Sequence, residues 1–159
     1  MKNKNLTTFI FVAFAIVTKL LLFYLAIGDE QQKKIIILFH LLFILLSVFF
    51  SIKSVANKNF FLENFKAGSK AALVYAISIS IFVFVYYSFI DAGYFVSMQN
   101  EIIKTQIVNA KVNEVESIKK NIQAFFTVFN YTTITLTGFI VIGVLFSVII
   151  SIVKKYANG

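Results

Sequence analysis

The sequence predicts an all-α protein: a four-transmembrane-helix bundle with an extracytoplasmic extension of the fourth helix. Three observations predict it. Four long apolar runs divide the 159 residues, and fourteen of the fifteen lysines fall outside those runs. In the one long connection Val108, Val112, Val115, Ile118 and Ile122 recur at spacings of three and four, the period of an amphipathic helix. Composition agrees, with 59% hydrophobic and 14% charged residues, against about 45–50% and about 25% in typical globular chains. The surplus apolar surface needs lipid to cover it, and the whole of residues 1–159 is expected to form a single integral membrane domain.

A helix crosses the hydrocarbon layer in about 20 mostly apolar residues. Span one is expected over residues 6–28. Lys2 and Lys4 precede it as in a signal peptide, but its length, the embedded Lys19 and the lack of a small-x-small cleavage site point to an uncleaved span. Span two covers residues 35–52 and is prolonged by Ser54, Val55 and Ala56 to about residue 56. The polar residues 29–34 before it form a short turn, which makes spans one and two antiparallel neighbours.

Span three is apolar from residue 71 to residue 90 but should begin near residue 60 as an amphipathic turn and end near residue 91. Asn59 suits the N-cap, Glu63 falls in the first turn, and Phe60, Phe61, Leu62 and Phe65 suit the interface. Span four covers residues 124–153, long enough that it must tilt or emerge from the bilayer. Neither proline nor glycine occurs between Ser97 and Thr137, so a helix over about residues 97–123 is expected to run unbroken into span four. Its apolar stripe either packs on the same chain, around residues 94–103, or meets a partner. Lipid supplies no hydrophobic drive between helices, so small residues mark close approaches. Ala72, Ala76 and Ser80 line one face of span three, and Gly143, Ser147 and Ser151 one face of span four; these faces are expected to meet.

Lysine placement predicts orientation. Lys2, Lys4, Lys53, Lys58, Lys66, Lys70, Lys154 and Lys155 lie on one side with only Glu63 opposing them. On the other side Lys33, Lys34, Lys104, Lys111, Lys119 and Lys120 are offset by six acids, Asp29, Glu30, Asp91, Glu101, Glu114 and Glu116. Both termini are therefore expected in the cytoplasm.

All four spans place polar residues in the half remote from the cytoplasm. Lys19 lies roughly 13 Å and His40 about 8 Å from that edge at the helical rise. Tyr87 and Asp91 close span three there, and Asn130 and Tyr131 open span four. These six residues form a candidate intramembrane polar layer. A charged lysine near mid-bilayer costs about 2.5–3.5 kcal/mol, so Lys19 must snorkel to the headgroups, pair with Asp91, or contact an ion or substrate. The threonines at the start of span four suit hydrogen bonds back to the preceding turn.

Other classes find no residues to carry them. With no cysteine there is no disulfide, thiolate or cysteine nucleophile, and a lone histidine makes a poor transition-metal site. The net charge of +8 comes from lysine alone, and without arginine the chain lacks the best reader of phosphate forks and base edges. No nucleic acid is expected as partner; anionic lipid is the natural one. No HExxH, GxSxG, Walker or paired-aspartate motif occurs. The chain is expected to hold no catalytic, cofactor-binding or metal residue and not to be an enzyme. Asn5 and Asn130 match the glycosylation pattern, but one lies at the cytoplasmic terminus and the other in a span.

Three stretches carry a resemblance: Phe65, Lys66, Ala67 and Gly68 opening span three; the run from Tyr86 and Tyr87 through Asp91 to Tyr94; and the closing stretch from Gly138 to the paired Lys154 and Lys155. Together they resemble domain of unknown function 4199, an uncharacterised membrane family of Bacteroidota type. The resemblance implies four membrane helices in a bacterial inner membrane and carries over no activity. The family often has proline after the aspartate; with Ala92 in its place, the helix is expected to run slightly further. The leading expectation is a non-enzymatic assembly or accessory component, acting through helix packing and its extracytoplasmic helix, with a homo-oligomer or a membrane-protein partner. The alternative is a small oligomeric ion or solute pathway whose outer vestibule holds Lys19, His40 and Asp91.

Overall fold

Among the described residues the apolar runs, none of them broken by proline, become helix. The computed structural model describes residues 5–25, 29–55, 61–108 and 114–157. In chain order they form α1 (Leu6–Tyr24), α2 (Asp29–Lys53), α3 (Phe61–Val85), a π-helical turn (Tyr86–Ile90), α4 (Tyr94–Ile107), α5 (Val115–Phe125) and α6 (Val128–Ala157). The described residues contain no strand, so the all-α class holds. Four stretches are long and apolar enough to cross a membrane: Leu6–Tyr24, Gln31–Lys53, Phe61–Ile90 and Val128–Tyr156. Gly28, Ala56, the N-cap Asn59, Phe60 and Val112 lie outside the described residues, as do Lys2, Lys4, Lys58 and Lys111.

The helices gather into two compact units, Met1–Ile79 with Leu136–Gly159, and Ser80–Thr135. In the first unit α1 and α2 form an antiparallel hairpin. Phe11 stacks on Phe43 and Phe50, and Phe14 on Phe43, while the far end of α1 meets the start of α2. The polar turn expected at residues 29–34 is helical instead. Asp29 and Glu30 belong to α2 itself.

Small residues set the packing of α3 on α6, as their spacing predicts. A Cβ added at Gly143 would overlap Cβ of Ala72 and lie 3.1 Å from Ile44 Cδ1; one added at Gly68 would lie 2.7 Å from Ser147 Oγ and 2.9 Å from Ile52 Cδ1. The position numbers in the two pairs change by four in opposite directions, so the helices cross antiparallel in a single register. Asn64, Ala72, Ala76, Ser147 and Ser151 are buried along this seam, with Ile44, Val48 and Ile52 of α2 closing its third side. Ser51 of α2 adds a hydrogen bond from its hydroxyl to the Ala67 carbonyl, 2.9 Å.

In the second unit α4 packs against α5; Ile103 and Ile122 are buried, and Val115 and Ile118 are half-buried. The α5 stripe thus packs on its own chain, the first of the two readings open to it. Val108 departs from the stripe and is 76% exposed. The unbroken helix expected from residue 97 into span four does not form: α4 ends at Ile107, α5 is a separate helix from Val115 to Phe125 packed on α4, and α6 starts at Val128. A cap makes the second break. Thr127 Oγ1 accepts from the Asn130 amide at 3.2 Å, the N-cap geometry for α6, while Asn130 Nδ2 donates to the Ala124 and Phe125 carbonyls, each at 3.0 Å. One asparagine therefore helps to close one helix and to open the next. Nor does span three run past the aspartate: its helix ends at Ile90, and Asp91 turns the chain with φ −119° and ψ 52°.

Two glycines of α6 separate close approach from helix propensity. Gly143→Val should destabilise the protein by about 1–3 kcal/mol through overpacking against Ala72. Gly138, with open space around it, should tolerate alanine or gain up to about 1 kcal/mol of helix propensity. Reversible unfolding in mixed micelles measures both.

Candidate functional site

In the first unit three polar junctions join one helix to another. Lys19 Nζ of α1 donates to Gln32 Oε1 of α2 at 3.0 Å, and Gln32 Nε2 donates back to the Leu22 carbonyl at 3.0 Å. That carbonyl belongs to the last turn of α1, whose acceptors no longer find amides within the helix. Gln32 thus satisfies a helix end and holds a lysine at once, and it is itself buried.

His40 of α2 shares a 2.8 Å hydrogen bond between Nδ1 and the Tyr75 hydroxyl of α3. Tyr75 is 0% exposed, so His40 partners a hydroxyl that lies beyond water's reach. Phe139 of α6 packs on both rings, at 5.0 Å from His40 and 5.8 Å from Tyr75. The single histidine therefore sits where three helices meet.

A third junction lies at the opposite end of α2. Lys154 Nζ of α6 donates to the Ile52 carbonyl at 2.7 Å and to Asn64 Oδ1 at 3.1 Å. Asn64 is 0% exposed. The lysine binds the last turn of α2 to the first turn of α3, and all three helix ends are drawn together.

The second unit holds the remaining four residues of the expected layer. The π-turn closes with the Asp91 amide donating to the Tyr86 carbonyl at 2.9 Å, one residue wider than an α-turn. Around it the consecutive Tyr86 and Tyr87 are both buried. Tyr87 is the hub of an aromatic cluster, with ring centroids 4.9 Å from Tyr86, 4.9 Å from Tyr94, 5.2 Å from Phe95 and 5.4 Å from Tyr131. Most of these pairs are edge-to-face, the arrangement that the ring quadrupole favours. Asp91 and the hydroxyls of Tyr86, Tyr94 and Tyr131 lie within electrostatic reach of the Tyr87 hydroxyl. Asn130 is a capping residue, as described above. Thr132 and Thr133 donate to the carbonyls four residues back at 2.8 and 3.0 Å, the expected back-bonding.

The expected layer is thus divided between the units: Lys19 and His40 in the first, Tyr87, Asp91, Asn130 and Tyr131 in the second. Gln32, Asn64, Tyr75 and Lys154 are the partners that the sequence reading did not single out. Asn64 stands four residues before Gly68 and eight before Ala72, on the small-residue face, and that spacing was its available signal. Among the described residues no group of three or more His, Cys, Asp or Glu could hold a metal ion.

Four apolar spans, joined to one another by hydrogen bonds between polar side chains, define a multi-pass membrane protein. The chain belongs to the family described as Protein of unknown function (DUF4199), which matches it over residues 7–155. No curated protein and no solved structure matches the chain at a significant level.

The His40–Tyr75 bond predicts a measurable coupling. His40→Leu should destabilise the protein by about 1–3 kcal/mol, because it strands a buried hydroxyl. Adding Tyr75→Phe should recover part of that loss. A double-mutant cycle in mixed micelles measures the coupling, and additive effects would contradict the pairing.

Proposed function

We propose that this protein is a non-enzymatic assembly or accessory component of a bacterial inner membrane, with both termini in the cytoplasm and the α4–α5 hairpin outside. The lysine asymmetry between the connections supports that orientation. The observation that carries the assembly reading is Val108, a large apolar side chain 76% exposed at the end of α4. Ile103 and Ile122 are buried, whereas Val96 and Phe125 are 59% and 58% exposed and Val108 exceeds both, so among the described residues Val108 is the apolar side chain of the hairpin most open to a partner, either a second copy or another membrane protein.

The ion or solute pathway is less well supported. It needs Lys19, His40 and Asp91 as a vestibule lining, yet Lys19 is engaged with Gln32 and His40 with Tyr75. Both bonds join one helix to another, which is the work of packing.

The chain has no cysteine of its own, so Val108→Cys introduces a unique thiol. Treatment of native membranes with a bis-maleimide should yield an intermolecular product, either dimer-sized or a heavier adduct. If the thiol reacts with a water-soluble maleimide yet gives no intermolecular product, the assembly reading fails.

A further inference from the structure

The rotation of α3 is set by its buried face. Asn64 accepts from Lys154, and Gly68 and Ala72 lie against α6. Lys66 and Lys70 follow Asn64 and Gly68 by two residues, roughly 200° further round the helix, and so face away from α6. Both are exposed, as are Leu62, Leu73 and Ile77. The spacings 62, 66, 70, 73 and 77 place all five on one stripe.

This stripe has two chemically different parts. Lys66 and Lys70 are cationic, one turn apart, near the start of the span, whereas Leu73 and Ile77 continue the same face into its apolar interior. From Lys70 to Ile77 the rise is about 10 Å, which lies within one leaflet of a hydrocarbon core about 30 Å thick. The bonds of Lys154 to Ile52 and Asn64 bring the ends of α2 and α6 to the start of α3, adding Lys53 and Lys155, both exposed, to the same end. Five lysines therefore stand against one acid, Glu63, among the described residues there.

We propose that the Lys66–Lys70 stripe of α3 binds an anionic phospholipid, with the phosphate between the two ammonium groups and an acyl chain along Leu73 and Ile77. Charge selects an anionic headgroup, since a choline group would carry positive charge to a site that is already positive. The apolar continuation selects a lipid over a soluble phosphate or an acidic peptide, neither of which has an acyl chain to lay along it.

The test is native mass spectrometry of the full-length protein in detergent, titrated with phosphatidylglycerol or phosphatidylcholine. Phosphatidylglycerol should bind more tightly. The double variant Lys66→Gln/Lys70→Gln should weaken it roughly 30-fold, on the scale of the attraction of surface lysines to anionic lipid. Lys66→Arg/Lys70→Arg, which keeps the charge, should retain binding, as should Lys119→Gln/Lys120→Gln in α5. Equal binding of the two lipids, unchanged binding by the glutamine variant, or loss in the arginine variant would overturn the proposal. So would displacement of phosphatidylglycerol by an equal concentration of glycerol phosphate, which would show phosphate recognition without the chain.

Discussion

The contact on which the first unit depends is the approach of α3 to α6 at Gly68/Ser147 and Ala72/Gly143. Between helices in lipid no water is released on contact, so association rests on van der Waals packing, hydrogen bonds and lipid entropy. Dispersion falls away steeply with separation, and a gap of a fraction of an ångström forfeits much of it. Small side chains at every fourth position let the two backbones close that gap. The third side of the seam follows from the same geometry, because Ile44 and Ile52 of α2 fill the space that a larger residue at 143 or 68 would take.

The polar junctions specify this arrangement more than they stabilise it. Interhelical hydrogen bonds within membranes average about 0.6 kcal/mol, whereas a lysine at mid-bilayer costs about 2.5–3.5 kcal/mol. The bond from Lys19 to Gln32 offsets only part of such a cost. What it and its counterparts supply is register. Lys19–Gln32 locks α1 to α2, His40–Tyr75 locks α2 to α3, and Lys154 locks α6 to both α2 and α3. A slip of one turn along any of these helices would strand a buried polar group with neither partner nor water. This supports the proposed reading over a pathway, since Lys19 and His40 are engaged in fastening helices.

Much of this was legible in the residues. Long apolar runs announce spans because lipid demands them, and the four-residue spacing of Ala72 and Ala76 and of Gly143 and Ser147 announced the seam because helical neighbours recur at that interval. Legibility ended where a local signal competed with a longer one. The absence of proline and glycine argued for one helix into span four, yet α4 and α5 are separate helices, and Thr127 caps α6 while Asn130 bonds the last carbonyls of α5. Asp29 and Glu30 read as a turn by polarity alone, although negative charge also favours a helix start. Lys154 counted towards orientation and the family resemblance but not towards packing, because its partners Ile52 and Asn64 are about a hundred residues distant in the chain. The tyrosine cluster around Tyr87 was half visible. Tyr87 and Tyr131 were grouped by depth, but the π-turn that buries consecutive tyrosines leaves no mark in hydropathy.

The seam itself can be tested with a pair of thiols. Gly68→Cys/Ser147→Cys, in a chain without native cysteine, places two Cβ atoms close enough for a disulfide after a small adjustment. Mild oxidation in native membranes should convert this variant to an intramolecular disulfide, seen as a reduction-sensitive mobility shift, while Gly68→Cys/Ser151→Cys, one turn out of register, stays reduced. Faster closure of the out-of-register pair, or closure of neither, would contradict the packing of α3 on α6 described above.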